Sequence, residues 1–152
     1  MLSALLMLAT AGSPPGGWAQ FQRSISLIGV SDSIEIGLDS PGAKTQAYRL
    51  QLTHRTPQVT RIAVTDSLSC PAVRQVVASM RDLEMPHPAP VIPGESIRIW
   101  VMDGTQYTLH APSTYQNGAM TIDSNGGSPL ARWVDGALKA LEPCWSPAEP
   151  PR

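Results

Sequence analysis

The sequence predicts a single α+β domain over residues 20–145, with an antiparallel sheet of about six or seven strands, two helices on one face of the sheet and one disulfide. Three observations support this class. Apolar residues alternate with polar ones in several short runs, two longer segments carry apolar stripes at helical spacing, and two cysteines lie at predicted helix ends. Residues 146–152 are rich in proline and are predicted to form a disordered tail.

Residues 1–19 have the character of a cleaved secretory signal peptide. They contain no charged side chain, are apolar over residues 2–11, and end with small residues, Gly17 and Ala19, at the positions that signal peptidase reads. The apolar run is about half as long as a bilayer span requires, so no membrane span is expected. No Lys or Arg precedes the run, which departs from the usual signal and leaves a frayed N-terminus as the alternative. We predict cleavage before Gln20 and a periplasmic or secreted protein.

The charge balance is nearly neutral. Eleven Lys and Arg residues face 12 Asp and Glu residues, for a formal net charge of −1. Such a balance carries no overall electrostatic signature of a nucleic-acid or anionic-lipid partner, so neither is expected.

The N-terminal part of the domain is predicted to be an antiparallel meander of three strands, followed by a fourth strand at residues 61–65 that leads into the first helix. Its alternating runs lie around Ile25 and Leu27 and at residues 34–38, 48–52 and 61–65. The polar residues 29–33 and the Ser-Pro-Gly sequence at residues 40–42 fit the intervening turns.

Two amphipathic helices follow from the apolar stripes. The first is predicted from about Ser69 to Leu83, and the second is capped by Ser128, has Pro129 at its first position and is ended by Pro143. The core-facing residues of the two stripes are Val73, Val76, Val77 and Met80, and Leu130, Trp133, Val134, Ala137, Leu138 and Leu141.

A β-hairpin is predicted between residues 97–101 and 105–109. A two-residue loop at its Asp-Gly pair mixes polar with apolar residues on both faces, whereas a three-residue loop at 102–104 makes one face apolar. We predict the second register, followed by a weaker strand at 120–122.

This register places Trp100, Arg98 and His110 on the face opposite the apolar one. Because Trp and Arg dominate binding hot spots, we predict that these three residues contribute to a binding surface. The alternative is that helices cover this face and that Trp100 belongs to the core.

The two cysteines predict a disulfide. Cys70 lies at the start of the first helix and Cys144 just after the second, and an exported domain with two cysteines most often joins them. Such a bond would hold the two helices antiparallel on one side of the sheet.

The alternative to a structural disulfide is a reactive thiol at Cys70, because a helix N-terminus stabilises a thiolate. The loop resembles the active-site loop of peroxiredoxins in Ser67, three residues before the cysteine, and in Pro71 after it. The resemblance implies thiol redox chemistry. However, Ala63 replaces the proline of that loop, and an N-terminal third made only of strands does not suit a thioredoxin-type fold.

The three histidines, His54, His87 and His110, lack the spacing of a metal site, and each is expected to be a solvated residue. A hydrolytic triad of a serine, one of these histidines and Asp66 or Asp103 remains open, although no G-x-S-x-G motif supports it.

These observations predict an exported, non-catalytic protein that binds an envelope protein or a small ligand, without metal or cofactor. The alternative is an enzyme, either thiol-dependent at Cys70 or a hydrolase. Residues 125–129 open the second helix in a way that suits an anion, but a plain turn and helix cap is the prediction.

Overall fold

A computed structural model describes residues 17–39, 46–87, 90, 93–94, 104–114 and 118–148 of the chain. The strands are β1 (Ala19–Ile25), β2 (Val30–Leu38), β3 (Tyr48–Arg55), β4 (Thr60–Asp66), β5 (Thr105–Pro112), β6 (Ala119–Asn125) and β7 (Ser146–Pro147), and the helices are α1 (Pro71–Ser79) and α2 (Pro129–Leu141). The strands form one antiparallel sheet in the order β6-β5-β1-β2-β3-β4-β7. The predicted α+β class, with seven strands, two helices and one disulfide, is confirmed.

The first strand begins earlier than its apolar pattern indicated. β1 starts at Ala19, whose side chain is buried and which pairs with Ile36 of β2. Leu27, expected in this strand, instead lies in a 3-10 turn that Gly29 closes in the left-handed conformation, with φ of 62°. The predicted cleavage point after Ala19 stays a prediction.

The polar residues 31–33 were expected to form a turn, but they continue β2. Ser31 and Ser33 face away from the core, and Asp32 lies in phase with the buried Ile34 and Ile36. A polar sequence can therefore continue a strand when the side chain that faces the core, here Asp32, is hydrogen-bonded to other residues of the protein.

Both helices cover the same face of the sheet. Phe21 of β1 packs edge-on against Trp133 of α2, with ring centroids 5.0 Å apart. The fully buried side chains between the layers come from both the sheet and the helices: Phe21, Ile34, Ile36, Leu50, Leu109, Val73, Val134 and Leu141. The opposite face of the sheet carries no described helix.

The helices run antiparallel because they are joined at two places. Cys70, before α1, is bonded to Cys144, after α2, with a Cα–Cα distance of 5.8 Å. At the other end of α1, Ser79 Oγ accepts a hydrogen bond of 2.9 Å from Trp133 Nε1 in the first half of α2. The predicted disulfide and helix arrangement are thus confirmed, and Ser128 Oγ caps α2 through the N–H of Ala131 as expected.

The predicted hairpin register is wrong. The strand expected at residues 97–101 lies outside the described residues, and both edges of β5 are occupied, one by β1 and the other by β6. Pairing with β1 makes β5 a central strand whose apolar side chains are buried. This gain in burial cannot be predicted from the turn preference of the Asp-Gly pair alone. The alternation itself was right, since Tyr107 and Leu109 are buried and His110 points the other way.

The C-terminal segment also differs from the predicted disordered tail. Ser146 and Pro147 form β7, which pairs with Val64 and Ala63 at the edge of β4. Residues 149–152 lie outside the described residues.

Asp66 organises the entry into α1. Its Oδ1 accepts hydrogen bonds from the N–H groups of Leu68 (2.7 Å) and Ser69 (2.8 Å), which turns the chain toward Cys70. The bond from the Ser69 N–H, together with the bond from Leu68 and against the effect of burial, lowers the pKa of the Asp66 carboxyl. Its carboxylate therefore stabilises the fold above the unfolded pKa of about 3.9, and this contribution is lost as the pH falls through the lower folded value.

We expect Asp66→Ala to lower the free energy of unfolding by about 1 kcal/mol at pH 7, as the loss of a helix-capping side chain does. Asp66→Asn should keep most of the turn, because an amide oxygen also accepts from N–H groups. Urea unfolding at pH 7 and near pH 3 measures both effects. Stability that declines equally toward acid in wild type and Asp66→Asn would assign the pH dependence to other groups.

Candidate functional site

The helix-free face of the sheet carries a group of uncharged amide and hydroxyl side chains, with the carboxylate of Glu35 between Gln20 and Gln51. Because side chains alternate along each strand and Phe21 faces the helices, its neighbours Gln20 and Gln22 face away from them. The strand register carries this face across β5, β1, β2 and β3. We call the following nine residues the amide-hydroxyl patch: Gln20, Gln22, Ser24, Ser31, Ser33, Gln51, Thr53, Gln106 and Thr108.

The patch is accessible and largely unpaired. Gln20 Nε2 donates to Ser33 Oγ at 2.7 Å and Thr108 Oγ1 donates to Asp123 Oδ1 at 2.7 Å. The side chains of the other six members have no hydrogen-bond partner in the described parts of the chain. All nine are exposed or partly exposed, so their donors and acceptors face solvent.

Of the three residues predicted to bind a partner, the structure describes one. His110 lies on the helix-free face beside the patch, with its Nδ1 3.0 Å from Thr121 Oγ1. Trp100 and Arg98 lie outside the described residues, as does Asp103. The face on which His110 was expected is therefore the face that the helices leave open.

A second polar cluster lies on the helix-covered face. Arg23, Asp32 and His54 occupy directly paired positions on β1, β2 and β3. Arg23 Nη2 donates to Asp32 Oδ2 and His54 Nδ1 donates to Asp32 Oδ1, both at 2.7 Å. Because a carboxylate only accepts, the Nδ1 of His54 carries the proton of that bond. Asp32 is 8% exposed, and both of its oxygens are engaged.

Asp135 of α2 connects this cluster to the helix layer. Its Oδ1 accepts from Arg23 Nη1 at 3.2 Å, and its Oδ2 accepts from the Tyr107 hydroxyl at 3.0 Å. Burial alone would lower the pKa of Arg23, but the hydrogen bonds and charges of Asp32 and Asp135 outweigh it and raise that pKa. Burial, reinforced by the carboxylate of Asp135, raises the pKa of Tyr107. Arg23 therefore stays charged and Tyr107 protonated at neutral pH.

The cluster can orient a histidine for proton transfer. Asp32 holds the Nδ1 side of His54, which leaves Nε2 as the basic nitrogen. A groove of about 380 Å³ lies between α2 and this part of the sheet and is lined in part by Arg23, Asp32 and Asp135, whereas His54 does not line it. The described residues contain no group of three or more potential metal-binding side chains.

The side chain of His54, expected to be solvated, is 35% exposed, and its ring is also hydrogen-bonded to the buried carboxylate of Asp32. Asp32 and His54 are 22 residues apart, and strand pairing brings them together. One signal was present in the sequence: Asp32 falls in phase with the inward-facing Ile34 and Ile36. His87 lies exposed after α1, as expected.

The remaining predicted features have structural roles. Cys70 is bonded to Cys144, and the described residues contain no free cysteine that would support thiol chemistry. At the start of α2, Ser128 Oγ caps the helix and Gly127 O accepts from Arg132 Nη1 at 2.8 Å, which matches the predicted turn and cap.

Fold and surface together define a class: a disulfide-bonded, single-domain α+β protein with one polar, helix-free sheet face. Comparison of the chain with protein-family models, with curated proteins and with solved structures found no match. Among the described residues, no helix has the length and apolar character needed to cross a membrane.

Proposed function

We propose that the protein is an exported, non-catalytic binding protein and that the amide-hydroxyl patch binds a neutral, hydroxyl-rich ligand such as a glycan chain. The observation that carries the proposal is the patch itself: nine uncharged polar side chains on four adjacent strands, six of them without a protein partner. The disulfide supports the export part, because such bonds persist mainly in oxidising compartments.

Hydrogen-bonding chemistry favours a glycan. Amides and hydroxyls both donate and accept, as sugar hydroxyls do, so either polarity finds a partner on this face. Neighbouring strands are about 4.8 Å apart, which sets the polar groups in rows on which an extended chain can lie. The nine patch side chains are uncharged, and the one carboxylate among them on these strands, Glu35 between Gln20 and Gln51, can accept hydrogen bonds from sugar hydroxyls.

An envelope protein is the other predicted partner. Protein interfaces are centred on aromatic, Met and Arg side chains, and the patch contains none of these. Arg55, Ile62 and Val64 lie on the same face only beside the patch, next to Ser31, Thr53 and Gln51, so a glycan fits the patch itself better than a protein does.

We expect Gln22→Ala combined with Gln51→Ala to weaken glycan binding about thirtyfold, because each of the two amides lost removes hydrogen bonds worth about 1 kcal/mol. Co-sedimentation with purified peptidoglycan sacculi and calorimetric titration with chito-oligosaccharides provide the measurements. Gln75→Ala is the matched control, since this glutamine is exposed on α1 in the helix layer. Failure of the wild-type protein to bind any of these probes, or an equal loss in the control, would argue against the patch as a glycan site.

The Asp32–His54 pair favours a hydrolase as the second candidate function. In this candidate His54 Nε2 accepts a proton from water as the water attacks an ester or amide carbonyl, and Asp32 stabilises the resulting imidazolium. The imidazolium then gives the proton to the leaving alcohol or amine as the tetrahedral intermediate breaks its C–O or C–N bond. Turnover of nitrophenyl esters that disappears in His54→Gln would support it. Glycan binding should be unchanged in that variant, because His54 lies on the opposite face of the sheet.

A further inference from the structure

Three of the five most exposed large apolar residues in the described chain lie at one end of the sheet. Leu27 and Ile28, in the turn between β1 and β2, are 78% and 57% exposed, and Val59, in the turn between β3 and β4, is 43% exposed. The two turns touch, since an ideal Cβ placed on Gly29 would lie 3.2 Å from Pro57 Cγ. We call Leu27, Ile28, Pro57 and Val59 the apolar tip.

Two unpaired arginines flank the tip. Arg55 ends β3 and Arg61 lies at the start of β4, and both are exposed. Alternation places Arg55 on the helix-free face and Arg61 on the helix-covered face, so the tip has a cation on each side. Neither forms an ion pair in the described chain, and both oxygens of the nearby Asp32 are already held by Arg23 and His54.

We propose that the apolar tip inserts into the surface of an anionic lipid bilayer, with Arg55 and Arg61 against the lipid phosphates. Exposed aliphatic side chains backed by cations suit the boundary between acyl chains and anionic headgroups. Arg55 is the cross-strand neighbour of Ser31 and so borders the amide-hydroxyl patch, but the four residues of the apolar tip lie outside it. The inference therefore goes beyond the proposed function.

The shape of the tip favours a bilayer over a protein partner. Four side chains on two turns are far fewer than the roughly 20–30 residues that each partner contributes to a standard interface. The tip is also aliphatic, whereas protein hot spots are enriched in Trp, Tyr and Arg held in pockets. Lipid chains rearrange around a small protruding group and need no matching cavity.

The near-neutral net charge argued against anionic lipid, and the local arrangement revises that expectation. Net charge averages over the whole surface, but charged groups act on a bilayer within about a Debye length. Among the described residues of the tip the two exposed charges are both positive, while the carboxylate of Asp32, the acid nearest in register, is paired with Arg23 and His54 inside the fold.

Flotation of the purified, disulfide-bonded protein with phosphatidylcholine vesicles, with and without phosphatidylglycerol, tests the proposal. We expect binding to the anionic vesicles that weakens with added salt. Leu27→Ser combined with Ile28→Ser should lower the partition coefficient about tenfold or more, because each aliphatic side chain no longer enters the interface. Arg55→Ala and Arg61→Ala should each lower it about fivefold on anionic vesicles only.

Leu68→Ser is the matched control. Leu68 is 71% exposed, but it follows the other end of β4, away from the tip. Circular dichroism and thermal melting verify that each variant is folded. No vesicle binding by the wild-type protein, or binding that survives the tip substitutions or falls equally with Leu68→Ser, would overturn the proposal. Glycan binding should be unchanged in the Leu27→Ser, Ile28→Ser double variant and in Arg61→Ala, whose side chain lies on the helix-covered face, so the two proposals succeed or fail separately.

Discussion

Replacing Cys70 and Cys144 together by alanine should lower the free energy of unfolding by about 4 kcal/mol. The bond closes a loop with a sequence separation of 74 residues, and the chain-entropy model gives a stabilisation of this size for such a loop. The bond also ties the start of α1 to the end of α2, so its loss removes one of the two links that align the helices. Urea or thermal unfolding of the double variant measures the effect.

Two controls accompany this measurement. Thiol titration of the denatured wild-type protein should find no free thiol, and the reduced wild-type protein should be destabilised much as the double variant is. A double variant as stable as the wild type would mean that the bond contributes nothing to the fold in solution.

Phe21→Ala should lower the free energy of unfolding by about 3–5 kcal/mol, the range for truncating a buried aromatic residue. Phe21 is 1% exposed and packs edge-on against Trp133, so its removal leaves a cavity between the sheet and α2. The measurement is the midpoint and slope of urea unfolding.

Gln22→Ala is the control for this prediction, because Gln22 is the next residue of β1 and faces the opposite side of the sheet. Its cost should stay within about 0.5 kcal/mol. A comparable loss in the two variants would mean that the helix-free face is packed, and the proposed glycan surface would be wrong with it.

Neighbouring residues show why local patterns predicted much of this fold. A residue in a strand or helix faces the core or the solvent according to its position in a repeat of 2.0 or 3.6. The inward side of β5 and the stripe of α2 therefore followed from the sequence, as did the cap at Ser128. The cysteine pairing also followed, because with only two cysteines in the chain there is one possible bond.

The partners of β5 did not follow from local pattern. The Asp-Gly pair favoured a hairpin with residues 97–101, but β5 pairs with β1, which is about 85 residues earlier in the chain. A turn motif indicates only how favourable a tight turn is at that place in the chain. The strand that finally occupies an edge is chosen by the burial of the whole apolar face, which depends on every other strand.

The candidate sites also combine features that the sequence predicts with features that only the tertiary structure shows. The sequence by itself determined which residues are polar within each strand, the two helix stripes and the disulfide, because each depends on local periodicity or on the cysteine count. Only the tertiary structure decided that Asp32 meets His54 and Arg23, that nine amide and hydroxyl side chains share one face, and that the turn at Gly29 lies beside Pro57. Those contacts arise from strand register, in which residues far apart in sequence become neighbours about 5 Å apart, and no local pattern encodes that choice.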